Sequence, residues 1–217
     1  MDHHEHHEHH AQHGHAAMGG INSMAVSATL HCLTGCAIGE IAGLMIGTAA
    51  GLANGWTIAL SVGLAFFFGY TLSTLPLVKA GLSVGAALSV VLAADTLSIA
   101  TMEVVDNLVM AVLPGAMDAG LVNVVFWVGM MIALTAAFFA AYPVNRYLLR
   151  RGKGHALLHQ YHQGGAEAVG VRRLIPSFAT STLVAVLVAF MLGGLVVSIA
   201  DEVGGGPSED GHASSAT

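Results

Sequence analysis

Residues 31–40 bring imidazole, sulfur and carboxylate groups into a stretch that is otherwise apolar. The only two cysteines of the chain, Cys32 and Cys36, are followed by Glu40 at the same interval of four residues. A helix turns by about 100° per residue, so these three side chains stack along one face. Thiolate and carboxylate are metal ligands, and sulfur favours copper, zinc and similar ions. The spacing predicts an intramembrane metal site, near which His31 adds an imidazole on another face.

A second group of chemically active residues occurs in the third apolar stretch. Four side chains recur at i, i+3, i+4 and i+7 and therefore share one helical face: Glu103, Asp106, Asn107 and Met110. Glu103 and Asp106 would form a second metal site. The thioethers of Met102 and Met110 would add ligands to it that suit a soft ion. Alternatively, the two acids are interfacial residues at the end of the helix. Asp95 lies deeper in the same stretch, where it could relay protons with Glu40.

Histidine supplies further metal donors outside the apolar stretches. Residues 1–22 contain eight histidines interrupted by acids, and imidazole is a common ligand for transition metals. His155, His159 and His162 recur at i, i+4 and i+7 and could capture metal on one helical face. Equally, the first segment could be a solvated tail, and the second a polar helix over anionic headgroups.

The composition places most of this chain in a membrane. Of its 217 residues, 55% are hydrophobic and only 9% are charged, whereas about a quarter are charged in a typical soluble domain. Such a surface must largely face lipid. With seven Lys and Arg residues in all, a role in nucleic-acid binding is excluded. No removable signal peptide is expected at the N-terminus.

Five stretches are long enough to cross a bilayer, which needs about 20 apolar residues. They cover residues 24–50, 56–76, 80–113, 121–142 and 178–199. The fold class predicted is an all-α integral membrane protein, a bundle of about five transmembrane helices. This transmembrane domain, 23–200, lies between a disordered His-rich tail, 1–22, and a disordered acidic tail, 201–217. The third stretch is longer than necessary, so it could include a re-entrant or kinked extension.

The basic residues predict the orientation of these spans. Lys79 lies between the second and third spans, and the other six basic residues lie in the loop 143–177 between the fourth and fifth. Two crossings separate the two positions, so all seven basic residues share one side of the membrane. The positive-inside rule makes that side cytoplasmic. The N-terminus is then cytoplasmic and the C-terminus is outside.

Glycines predict where the first span meets a neighbour. They recur every four residues, at Gly35, Gly39, Gly43, Gly47 and Gly51. Small residues at this spacing let two helix backbones approach closely in a membrane. We therefore expect a tightly packed helix beside the Cys–Cys–Glu stripe, at an offset of one residue from it.

Four segments together resemble a family of small prokaryotic multi-pass membrane proteins described as a domain of unknown function. They read HCLTGCAIGEIAGLMIG, ATMEVVDNLVM, PGAMDAG and AYPVNRYLLRRGKGHALLH. The resemblance covers roughly residues 25–200, with matching positions at His31, Cys32, Cys36, Glu40, Glu103, Asp106, Pro143 and Asn145. It implies a prokaryotic cell (inner) membrane and association with metal-binding or copper-handling modules. It implies no activity.

Three functional hypotheses follow. The first is a membrane metal-ion handling protein for transport, chaperoning or assembly, with copper or another soft transition metal as its ion and a metal chaperone, metal pump or oxidase assembly factor as its partner. The second is a membrane thiol oxidoreductase subunit that cycles Cys32 and Cys36, although a C-x3-C spacing differs from the usual C-x-x-C. The third is a structural accessory subunit, and a homo-oligomer is compatible with each. No catalytic residue or organic cofactor is predicted, because the chain has no nucleotide-binding loop and no hydrolase motif.

Overall fold

Five long helices make up the computed structural model, which describes residues 6–151, 174–176 and 178–204; the side chains of residues 6–19 and of Thr180 are outside that description. The helices are α1 (His6–Ala49), α2 (Asn54–Lys79), α3 (Val84–Val112), α4 (Val124–Arg150) and α5 (Thr180–Gly204). All five contain a segment long and apolar enough to cross a membrane. The described segments contain no strand. The predicted fold class, a membrane bundle of five helices, is confirmed.

Several helix boundaries differ from those expected. The third helix is continuous over Val84–Val112, with no re-entrant break. The fourth continues beyond Tyr142 to Arg150, so Pro143 lies within it rather than in a loop. Proline is tolerated in membrane helices because surrounding groups can satisfy the backbone that it frees. Backbone helix in α1 also extends back to His6, into the segment that the sequence assigns to a tail.

Helix α1 is the central helix of the bundle. Of its apolar span, 61% is buried, against 17% for α2 and 17% for α5. It packs against each of the other four helices. Short connections between α1, α2, α3 and α4 make successive helices antiparallel, so α1 and α3 run in the same direction across the membrane. A polar stripe on α1 is therefore placed where several neighbours can reach it.

Close contact between α1 and α2 follows the glycine series of α1. Built at Gly35, a Cβ would lie 2.5 Å from the Cα of Gly69; at Gly39, it would lie 2.2 Å from the backbone nitrogen of Ala65. The next two glycines meet Ser61 and Thr57 in the same descending register on α2. The series thus fixes α2 against α1 over four successive turns. The fifth glycine, Gly51, lies outside the contact in the turn after α1, with a φ of 66°.

Polar side chains and one indole fasten the other helices. Asn145 on α4 donates a hydrogen bond of 2.8 Å to the Thr29 hydroxyl of α1, with both side chains buried. On the far half of α4, the Trp127 indole donates to the Leu121 carbonyl at 2.7 Å and packs over Gly194 of α5. These contacts hold α4 against α1 and α5 against α4.

Candidate functional site

The stripe on α1 faces the interior of the bundle. Cys32 is 0%, Cys36 1% and Glu40 7% exposed, so neither the thiols nor the carboxylate face lipid. The acids of α3 are equally buried, at 4% for Glu103 and 5% for Asp106. Lipid instead meets the opposite face of α3, where Val104 and Leu108 are exposed. Glu103 and Asp106 therefore lie in the interior of the helix bundle.

Two pairs of side chains connect α1 to α3. Cys36 lies next to Glu103, and Glu40 lies next to Asp106, close enough to interact electrostatically. The parallel direction of α1 and α3 explains this pairing, because later residues of one helix meet later residues of the other. A rise of about 1.5 Å per residue separates Cys36 from Glu40 by about 6 Å along α1. We call these four residues the thiol–carboxylate cluster.

Most carboxylate oxygens of the thiol–carboxylate cluster have no hydrogen-bond partner among the described residues. Both oxygens of Glu40, both of Glu103 and Oδ1 of Asp106 are buried and make no hydrogen bond of good geometry, although Glu40 lies within reach of Asp106 and Glu103 within reach of Cys36. A buried polar atom without a partner costs about 1–3 kcal/mol, and more when it is charged. Three acids in the interior of one membrane bundle therefore carry negative charge that is not compensated. Protons or a bound cation can neutralise that charge.

A cavity of about 130 Å³ opens beside Glu40 and Asp106. Asn107, Met110 and Met130 add polar and thioether groups to its wall. Its other lining residues include Asn54, the first residue of α2, and Met117, in the turn after α3, so the cavity lies at the end of the bundle where α1 and α3 finish. The space is large enough for water or a small ion. It joins the carboxylates to one end of the membrane domain.

The remaining predicted ligands take different positions. Met102 is 1% exposed and packs in the same core as the two cysteines, whereas Met110 lines the cavity. His31 is half-buried, and its Nδ1 lies 2.9 Å from the Ser27 carbonyl one turn earlier. His31 is not among the residues that line the cavity. The histidines of residues 1–22 and the three at 155–162 lie outside the described side chains.

Cys32 belongs to a second polar group, one turn before the thiol–carboxylate cluster. Its neighbours are Ser73 on α2 and Asp95 and Ser98 on α3. Sequence reasoning identified Asp95 but missed both serines, which it had no reason to separate from ordinary hydroxyls in membrane helices. Only the i, i+3 spacing of Asp95 and Ser98 was visible in the sequence. The position of Ser73 depends on the register of α2.

The predicted metal ligands occur as neighbours and not as a completed coordination sphere. In the part of the chain that the structure describes, no three side chains of His, Cys, Asp or Glu are placed to hold one metal ion. The donors instead follow one another along α1 and α3, first Cys32 with Asp95, then Cys36 with Glu103, then Glu40 with Asp106. Chemically, this row can interact with a cation at successive depths.

The fold and this row define a class: a multi-pass helical membrane protein with thiols and carboxylates buried in its bundle. Residues 22–154 match the family described as a domain of unknown function (DUF4396), which covers more than half of the chain, and the protein belongs to that family. The match contains α2, α3 and α4 entirely, together with the whole polar row. No curated protein and no solved structure matches the chain.

Proposed function

We propose that this protein handles a transition-metal cation within the membrane, by transport, chaperoning or delivery to an assembly partner. The observation that carries the proposal is the thiol–carboxylate cluster, with five buried carboxylate oxygens that make no hydrogen bond of good geometry, beside a cysteine and a cavity. Anionic oxygens in a low-dielectric interior are stabilised when a cation replaces the missing hydrogen-bond donors. The ion is the cargo of the protein in this proposal.

Sulfur determines which cation is expected. Cys36 lies next to Glu103, one of the three acids of the thiol–carboxylate cluster. The thioether of Met110 lies in the cavity wall. Thiolate and thioether ligands select soft ions such as Cu(I), whereas carboxylates alone would suit harder ones. We therefore infer copper or another soft transition metal.

Successive neighbouring donors favour movement of an ion over storage. A site that passes on its ion must bind it well enough to admit it but weakly enough to release it. The donors of the row on α1 are one helical turn apart, and the last pair opens to the cavity. In this proposal the histidines at the N-terminus raise the local metal concentration on the cytoplasmic side of a prokaryotic inner membrane. The C-terminus is then outside, and a metal chaperone, pump or oxidase assembly factor is the partner.

Elemental analysis of the purified protein tests the proposal. The histidines would mask the result, so the protein used lacks residues 1–19 and begins at Gly20, where the first membrane span starts. About one soft metal ion per chain is expected to be retained after reconstitution with Cu(I) and desalting. Cys36→Ser and Glu40→Gln should each lose most of it.

Asp118→Asn provides the matched control, because this acid is exposed and bonds only to Asn54 among the contacts of the structure, at 3.3 Å. It should retain the metal. Equal metal content in the parent, Cys36→Ser and Glu40→Gln would contradict the proposal. If a reversible thiol titration between Cys32 and Cys36 then appeared without metal, the thiol-redox hypothesis would replace it; unchanged thiols would leave a structural accessory role.

A further inference from the structure

An apolar groove of about 470 Å³ lies between α1, α4 and α5. Leu33, Leu134 and Met191, one from each helix, are buried in it, whereas Phe139 and Val188 at its edge are exposed. Exposed apolar side chains of membrane helices face lipid, so the groove opens to the acyl chains of the bilayer. Its volume lies in the range of about 300–1,000 Å³ that is usual for ligand pockets.

The wall of the groove offers an apolar surface to its occupant. Thr135 is the one polar residue among those that line it, and its hydroxyl donates to the Met131 carbonyl of the same helix at 2.7 Å. No lining side chain therefore needs a polar partner from the occupant, and a hydrocarbon chain satisfies the groove.

One row of side chains on α4 leads from the groove to a basic helix end. Leu134, Phe138, Tyr142 and Arg146 follow one another at intervals of one turn. The rings of Phe138 and Tyr142 stack, with centroids 6.3 Å apart and planes 19° apart. Tyrosine is typical of the level of lipid headgroups. The row thus joins an apolar groove to an arginine at the depth where phosphate groups lie.

The length of this row matches one lipid molecule. Met131 and Arg146 are separated by about 22 Å along α4, at a rise of about 1.5 Å per residue. One leaflet with its headgroups is about 20–22 Å thick, half of a whole bilayer. A lipid whose acyl chain ends beside Met131 therefore has its phosphate near Arg146.

We propose that the groove binds one acyl chain of an anionic phospholipid whose phosphate is held by Arg146. This side chain is half-buried, and its Nε has no hydrogen-bond partner among the described residues. Arg150 and Arg151 are exposed in the next turn, and α4 contains no acidic residue to neutralise them. Guanidinium groups match the geometry of phosphate, and basic pockets between membrane helices bind anionic headgroups.

The expected role of this lipid is to hold α5 in the bundle. Only 17% of the α5 span is buried within the protein. An acyl chain in the groove contacts α1, α4 and α5 together, so it adds apolar contacts that α5 otherwise lacks. The lipid site contains no residue of the thiol–carboxylate cluster, and it is independent of the proposed metal cargo.

Native mass spectrometry of the full-length protein, freed of lipid by washing in detergent, measures lipid binding directly. Phosphatidylglycerol and phosphatidylcholine with identical acyl chains are added separately, so that only the headgroup charge differs. We expect saturable binding of one phosphatidylglycerol per chain, with an affinity about fivefold higher than that of phosphatidylcholine. Arg146→Gln should remove this preference. Lys79→Gln is the control, because Lys79 is also basic and ends a membrane helix but does not line the groove.

A second pair of variants tests the groove itself. Val188→Trp should fill it and abolish saturable binding of both lipids. Ile132→Trp is the matched control, because Ile132 is exposed on α4 but does not line the groove, and it should bind lipid as the wild type does.

Three results would overturn the proposal: equal affinity of the wild type for the two lipids, an unchanged preference in Arg146→Gln, or equal lipid binding by Val188→Trp and Ile132→Trp. A wild type that binds neither lipid, and a dimer that Val188→Trp dissociates, would assign the groove to a second copy of the chain and overturn it too. Should Val188→Trp fail to fold, the preference measured in Arg146→Gln still decides. None of these outcomes depends on whether the protein binds copper.

Discussion

Replacing Gly39 with alanine should force α1 and α2 apart. A Cβ at this position would lie 2.2 Å from the nitrogen and 2.4 Å from the Cα of Ala65, whereas Cβ contacts under 3.0 Å essentially never occur. Both obstructing atoms are backbone atoms, so no side-chain rotation can relieve the clash. The helices must separate along the contact that fixes the position of Glu40, the next residue of α1.

The expected destabilisation has two parts. Overpacking that shifts backbones costs about 1–3 kcal/mol. Separation also weakens the hydrogen bond from the Ser61 hydroxyl to the Glu40 carbonyl, which is 3.2 Å long, and such bonds between membrane helices contribute about 0.6 kcal/mol. We therefore expect Gly39→Ala to lower the free energy of unfolding by about 1–4 kcal/mol.

Unfolding in mixed micelles of increasing SDS content, followed by helical circular dichroism, measures this difference. Gly63→Ala is the matched control, because Gly63 also lies inside a membrane helix, but a Cβ there meets nothing within 4 Å. It should leave stability unchanged or raise it by up to about 1 kcal/mol through helix propensity. If Gly39→Ala were as stable as Gly63→Ala, the close contact between α1 and α2 would be refuted.

Two further substitutions test the other helix contacts in the same assay. Asn145→Ala removes the buried hydrogen bond of 2.8 Å to Thr29 and should destabilise by about 0.6–2 kcal/mol; no loss would mean that this bond does not hold α4 to α1. Gly194→Ala should destabilise by about 1–3 kcal/mol, because its Cβ would lie 2.3 Å from the Trp127 ring. Gly193→Ala, whose Cβ meets nothing within 4 Å, should be neutral, and equal effects of the two alanines would contradict the packing of α5 against Trp127.

The sequence was sufficient to predict the five spans, because hydropathy depends only on composition within a window. It was less informative about helix ends: α4 continues through Pro143 to Arg150, where the buried Asn145 contacts α1. Such tertiary contacts have no local signal. The glycine series predicted a close neighbour correctly at four positions but not at Gly51, which lies beyond the end of the helix.

The candidate site could also be predicted only in part, because a local sequence pattern does not reveal contacts between helices. Helical periodicity placed Cys32, Cys36 and Glu40 on one face, and the membrane environment singled out the buried acids. Periodicity gives no information on how helices rotate against each other, so the sequence suggested Asp95 as a partner of Glu40, whereas the structure places Asp106 beside Glu40 and Asp95 beside Cys32. Ser73 was missed altogether, because its position beside Cys32 depends on the packing of α2 against α3, which meet at Gly69.

Copper-edge X-ray absorption of the Cu(I)-loaded protein lacking residues 1–19 tests the central claim most directly. The thiol–carboxylate cluster predicts a ligand shell with sulfur at about 2.3 Å and at least one oxygen. Cys36→Ser should retain little copper, with weaker sulfur scattering from the copper that remains, and Asp118→Asn should leave the spectrum unchanged. A shell without sulfur, or a spectrum that Cys36→Ser does not alter, would contradict a metal site between α1 and α3.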